Sequence, residues 1–141
     1  SKPPASPSPV IFTGEASAGK LILSGYELSS ATVRAGEKMN LTLYWQVAEP
    51  LSLDYTSYVH LVGPEGQTLA QSDHLPGGDY YPSRYWQVGE ILRDQHELLI
   101  PAGAPPGSYQ AQVGLYEQPE PGVIRGLGSS APVAQIVVPY S

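Results

Sequence analysis

Met39-Asn40-Leu41-Thr42-Leu43-Tyr44-Trp45-Gln46-Val47 is the stretch that decides the fold. Leu41, Leu43, Trp45 and Val47 alternate with Thr42, Tyr44 and Gln46, the period-two signature of a strand with one buried face. Asp54 to Val62 repeats the behaviour, with Tyr55, Ser57, Val59 and Leu61 on one face and Thr56, Tyr58, His60 and Val62 on the other. Gly63-Pro64-Glu65-Gly66 then predicts a tight turn into Gln67 to Gln71, a hairpin.

Working outward, Leu21 to Leu28 reads as a strand with a bulge at Gly25, and Arg34 to Glu37 as a turn. Asp94 to Ile100 is a strand ended by Pro101, and Pro105-Pro106-Gly107 turns the chain into Ser108 to Glu117. There Tyr109, Ala111, Val113 and Leu115 share a face. Short strands at Val123 to Arg125 and Ala134 to Val138 close the domain. This spacing of strands and Gly/Pro turns implies a two-sheet sandwich or a small barrel. Leu41, Leu43, Trp45, Val59, Leu61, Leu98, Ile100, Tyr109, Val113 and Leu115 are the expected core.

Composition agrees. The 15 Gly and 15 Pro in 141 residues disfavour long helices, and 41% hydrophobic residues suffice for one core. Ser1 to Pro9 holds four prolines and three serines, the composition of an extended linker. Residues 1–17 are therefore expected to form a Pro/Ser-rich or disordered arm and 18–141 the sandwich, with the domain proper starting between Val10 and Leu21. The chain opens at Ser1-Lys2-Pro3-Pro4 without an initiator Met, like a trimmed or processed end.

Net charge is −6, and the seven basic residues Lys2, Lys20, Arg34, Lys38, Arg84, Arg93 and Arg125 are scattered singly. No stripe could track a phosphate backbone or an anionic bilayer, so neither nucleic acid nor a membrane surface is an expected partner. No apolar run approaches the roughly 20 residues that span a bilayer. Zero cysteine removes thiol catalysis, Cys-based zinc sites and disulfides.

Two resemblances add to this reading. Pro106-Gly107-Ser108-Tyr109-Gln110-Ala111 resembles the start of the sixth strand of immunoglobulin-like domains, where a Gly-x-Tyr step forms a tyrosine corner. Ala111 stands where an antibody domain has its disulfide Cys, and Trp45 is not at the usual tryptophan position, so the likeness is to the broad class. A second likeness lies in Leu43-Tyr44-Trp45-Gln46, Tyr58-Val59-His60-Leu61, Gln71-Ser72-Asp73, Tyr85-Trp86-Gln87-Val88-Gly89-Glu90, Pro106-Gly107-Ser108-Tyr109 and Val113-Gly114-Leu115-Tyr116. Together these resemble a sandwich domain near the carboxyl end of bacterial membrane proteins of the glycosyltransferase type. The resemblance implies an accessory module outside the cytoplasm, tethered through a longer membrane-anchored chain, with no counterpart of the parent's catalytic residues. The expected class is all-β, a two-sheet immunoglobulin-like sandwich of seven to eight strands.

Candidate chemistry is sparse. His60, His74 and His96 show no metal-ligand spacing, and no Gly-x-Ser-x-Gly elbow exists. Asp73, Asp79, Glu90 and Asp94 bracket the long irregular segment Ser72 to Gly89 and could converge on a calcium ion, although their spacing fits no calcium-loop motif. No cofactor or metal is expected. Asn40-Leu41-Thr42 is a glycosylation sequon of the kind that arises by chance.

The long segment concentrates Tyr80, Tyr81, Tyr85 and Trp86. Trp86 is expected to fold back as a plug over the sandwich edge. Tyr80, Tyr81 and Tyr85, with Asp73 and Asp79, form the candidate ligand site, because aromatic faces with polar partners suit a glycan or a protein. The expectation is a non-catalytic binding or interaction module. A purely structural spacer is the alternative, and a small hydrolase or lyase has no nucleophile, metal motif or cofactor fingerprint behind it.

Overall fold

The computed structural model describes residues 10–14, 19–78 and 80–140. Two antiparallel sheets face each other. The first runs β1 (Val10–Thr13), β2 (Lys20–Leu28), β3 (Lys38–Glu49), β6 (Ile91–Leu99). The second runs β5 (Thr68–His74), β4 (Thr56–Val62), β7 (Gly107–Glu120), with β8 (Val123–Gly126) and β9 (Ala131–Val138) both paired to β7. The chain is an all-β immunoglobulin-like sandwich with nine strands among the described residues, one more than the seven to eight expected.

The ninth strand is β1, within the stretch assigned to the arm. Val10–Thr13 pairs with Leu23–Lys20, and Phe12 enters the core with its ring edge-on to Trp45 at 5.3 Å between centroids. An isolated phenylalanine gives no periodicity to read; the strand is held by its pairing with β2 together with burial of that ring. Among the described residues the sheet starts at Val10.

All ten expected core residues are buried. In β4, Ser57, Val59 and Leu61 point inward while Tyr58, His60 and Val62 remain partly exposed. The β2–β3 register shifts between Leu23 and Gly25, the expected bulge. Gly66, at φ +83°, closes the β4–β5 hairpin where Gly63 N–H donates to the Gln67 carbonyl at 2.8 Å.

The segment Ser72 to Gly89 is less irregular than its composition suggests. Ser72, Asp73 and His74 extend β5, and β6 begins at Ile91. Between them, Ser83 to Tyr85 forms a 3-10 turn. Ser83 Oγ accepts from Tyr55 N–H and donates to the Leu53 carbonyl, both at 2.7 Å, which pins the loop to the start of β4. Trp86 is the expected plug: it is buried, and its Nε1 donates to the Tyr81 carbonyl at 2.9 Å.

Tyr109, at the start of β7, donates its hydroxyl to the Pro105 carbonyl at 2.7 Å. This is the tyrosine corner, on the sixth strand counted from β2. Tyr109→Phe leaves that carbonyl without its donor and is expected to cost about 1–2 kcal/mol, read as a lower denaturant midpoint with an unchanged slope.

Candidate functional site

Two groups of polar side chains stand out, one inside the sandwich and one on its outer face. The inner group follows from strand alternation. Asp94, His96 and Leu98 lie on the inward face of β6, so a carboxylate and an imidazole occupy core positions. Trp45 Nε1 and Ser57 Oγ donate to Asp94 Oδ2 at 2.9 and 2.6 Å. His74 Nε2 lies 2.6 Å from Asp94 Oδ1. His96 Nε2 lies 2.8 Å from Ser57 Oγ and 3.1 Å from Asp94, while Ser72 Oγ reaches His96 Nδ1 at 2.8 Å. Trp45, Asp94 and His96 belong to one sheet and Ser57, Ser72 and His74 to the other, so the network ties the two together.

A Ser, a His and an Asp in contact suggest a nucleophile, but this geometry is not that of a triad. One ring nitrogen of His96 meets both Ser57 and Asp94, leaving no separate base and orienter. Ser57 is also fully buried. His74, Asp94 and His96 present ligand atoms within 4.8 Å of one another, the spacing of a metal site. Yet the two imidazoles are stacked, 3.9 Å apart and 11° from parallel. Lone pairs in the planes of stacked rings run side by side and do not converge on one ion. Hydrogen bonding accounts for the cluster.

Burial alone would raise the Asp94 carboxyl, but the bonds from His74, His96 and Ser57 outweigh it and hold it below the usual carboxylate range. The bond to Asp94 raises His74, against the opposing effect of burial.

The outer group lies on the five-stranded sheet. Tyr58, His60, Gln71, Asp73, Gln112 and Tyr116 surround an open hollow of about 480 Å³, bounded further by Ile124 and Ser130. Tyr58 pairs directly with Gly114 across β4 and β7, and a methyl group at Gly114 would collide with its ring. Lacking a side chain, Gly114 lets the phenol lie across the sheet. The Tyr58 ring is flanked by His60 at 4.9 Å and Tyr116 at 5.9 Å. Tyr116 donates to Asp73 at 3.0 Å. Burial raises both phenols, with Asp73 adding to each and Ser130 opposing at Tyr58, so both stay neutral at ordinary pH. His60 Nε2 is buried without a hydrogen-bond partner, 3.7 Å from Asp73 Oδ1. Gln112 also lines a second hollow of about 570 Å³, with Ser108, Gln110, Gln135 and the Gly63–Pro64 turn.

Of the residues singled out from sequence, Asp73 lies in the outer hollow. Tyr80, Tyr81 and Tyr85 do not line it. Tyr80 is fully exposed, Tyr85 stacks on the Arg84 guanidinium at 5.0 Å, and Tyr81 donates to Glu90 at 2.5 Å beside Trp86. Asp79 lies outside the described residues. The other three carboxylates proposed for calcium are dispersed: Asp94 inside, Asp73 on the outer face, Glu90 bound to Tyr81 and the Gln87 N–H. Tyr58, Gln112 and Tyr116 were not singled out, although alternation in β4 and β7 places them on an outward face rich in aromatic and amide groups.

No protein-family model and no curated protein matches this chain. Among solved structures, the C-terminal domain of Wzt is similar in fold, with a TM-score of 0.64 over 99% of this chain and 83% of that one. Identity is 11%, so the likeness is one of fold alone. The Pseudomonas fluorescens alkylpurine DNA glycosylase AlkC aligns with a TM-score of 0.46 at 15% identity, over 85% of this chain and 30% of that one.

The inner network generates two predictions. Asp94→Ala strands several donors in the core and should cost about 3 kcal/mol or more, measured by chemical unfolding. The pH dependence follows from the two shifts. The raised His74 contributes stability that is complete below its ordinary value of 6.5 and is lost as pH rises through its folded value. The depressed Asp94 contributes above its ordinary 3.8 and loses that contribution only as pH falls toward its folded value. The melting temperature should therefore decline from pH 6 to 9, and His74→Gln should flatten that decline.

Proposed function

We propose that this domain is a non-catalytic carbohydrate-binding module whose ligand lies on the outer face of the five-stranded sheet. The observation that carries the reading is Tyr58, laid across Gly114 in a hollow walled by hydroxyls, amides and one carboxylate. Sugar hydroxyls both donate and accept, and Gln71, Gln112, Tyr116 and Asp73 supply both complements. A flat ring offers the apolar face that a pyranose ring needs. A protein hot spot would present a more apolar, better desolvated pocket.

The module's placement outside the cytoplasm, on a membrane-anchored chain of the glycosyltransferase type, rests on the sequence blocks quoted above. In that setting a sandwich that grips a glycan would hold acceptor or product near a catalytic neighbour. The same placement suits a spacer, which would need no such polar hollow.

Tyr58→Ala should weaken binding to any glycan captured on an array by about tenfold or more, with little change in melting temperature. Tyr80→Ala combined with Tyr85→Ala should leave affinity unaltered. The reverse pattern in isothermal titration would move the site to the loop, and no captured glycan at all would favour the spacer.

A further inference from the structure

We propose that the groove selects an uncharged polysaccharide and holds an internal stretch of it; the proposal rests on the carbohydrate-binding reading above. Two observations carry it, the charge of the lining and its length.

Among the described residues, Asp73 is the one acidic group that lines the two hollows, and no Lys or Arg lines either. The basic side chains of the described residues are placed elsewhere. Arg125 stands between Ile124 and Gly126, which line the hollow, so strand alternation turns it to the opposite face. There it binds Glu117 at 2.8 Å. Lys20, Lys38 and Arg84 pair with Glu49, Glu97 and Asp54, Arg93 stands on β6 of the other sheet beside Gln95, and Arg34 lines a separate hollow at the turns near Ala102 and Pro139. A uronate or phosphate in the groove would lose water, meet Asp73, and find neither Lys nor Arg in return, His60 being already set against Asp73. A neutral sugar meets Asp73 as a hydrogen-bond acceptor. The net charge of −6 adds long-range repulsion in the same direction.

The hollows meet at Gln112. Along β7, Ser108 borders the far end of one and Tyr116 the other, a separation of roughly 27 Å at strand rise. That path exceeds one sugar ring. It is marked by repeating amides: Gln112 donates to Gln110 at 3.4 Å and accepts from Ser130 at 3.3 Å. Both hollows are open, so a chain can enter along one and leave along the other.

The test is titration of the native domain with neutral linear glucans, mannans and galactans of graded length, beside polygalacturonate and alginate. The expected result is Tyr58-dependent binding of a neutral polymer at least tenfold tighter than of either uronate, with affinity rising over several sugars. Blocking the polymer's reducing end should have no effect. Asp73→Asn keeps an acceptor for Tyr116 and should narrow the neutral-to-uronate ratio. Tyr58-dependent binding that favours a uronate, or that a monosaccharide saturates equally well, would overturn this inference and leave the carbohydrate-binding reading standing. Absence of Tyr58-dependent binding to every polymer would overturn both.

Discussion

A carboxylate on the inward face of a sandwich must be answered from both sheets, and Asp94 sets that requirement here. Its donors come from Trp45 beside it and from Ser57 and His74 across the interface. Apolar packing is non-directional and lets sheets slide. Hydrogen bonds to a buried charge do not, because each unmet donor or acceptor costs its full desolvation. The network therefore fixes how β5 sits against β6. It lies at the edge where the chain crosses between sheets, through a loop held by Ser83 and plugged by Trp86.

That inner constraint bears on the outer face. In β5, His74 points inward to Asp94 while Asp73, its neighbour, points out to Tyr116. In β4, Ser57 reaches the network and Tyr58 lies in the groove. Adjacent residues on a pleated strand face opposite ways, so anchoring one side positions the other. The core thus holds the groove's walls on two regular strands, a firmer support than a loop gives.

Much of the architecture was legible because period-two alternation survives wherever one face is buried. Every expected core residue lies in the interior, and Tyr109 was identifiable from a Gly-x-Tyr step whose hydrogen bond is local. β1 was not legible. Its one buried ring, Phe12, gains its partner Trp45 only when the strands pair. The groove was harder still. The loop tyrosines crowd together in sequence, whereas Tyr58 lies far along the chain from Gln112 and Tyr116 and meets them only through β4–β7 pairing.

By itself the sequence determined the class: short alternating strands, Gly/Pro turns and no cysteine leave a sandwich stabilised by its core. It also determined the inward face of the ten core residues, whereas Asp94, read at the rim of the long segment, and His96 turn out to share the inward face of β6 with Leu98. Only the tertiary structure decided what those polar residues do there, and that Tyr58 lies over Gly114. The physical reason is that alternation is a local property of one strand. Hydrogen-bond partners and groove walls are set by register and by which strands become neighbours, and those depend on the whole chain folding at once.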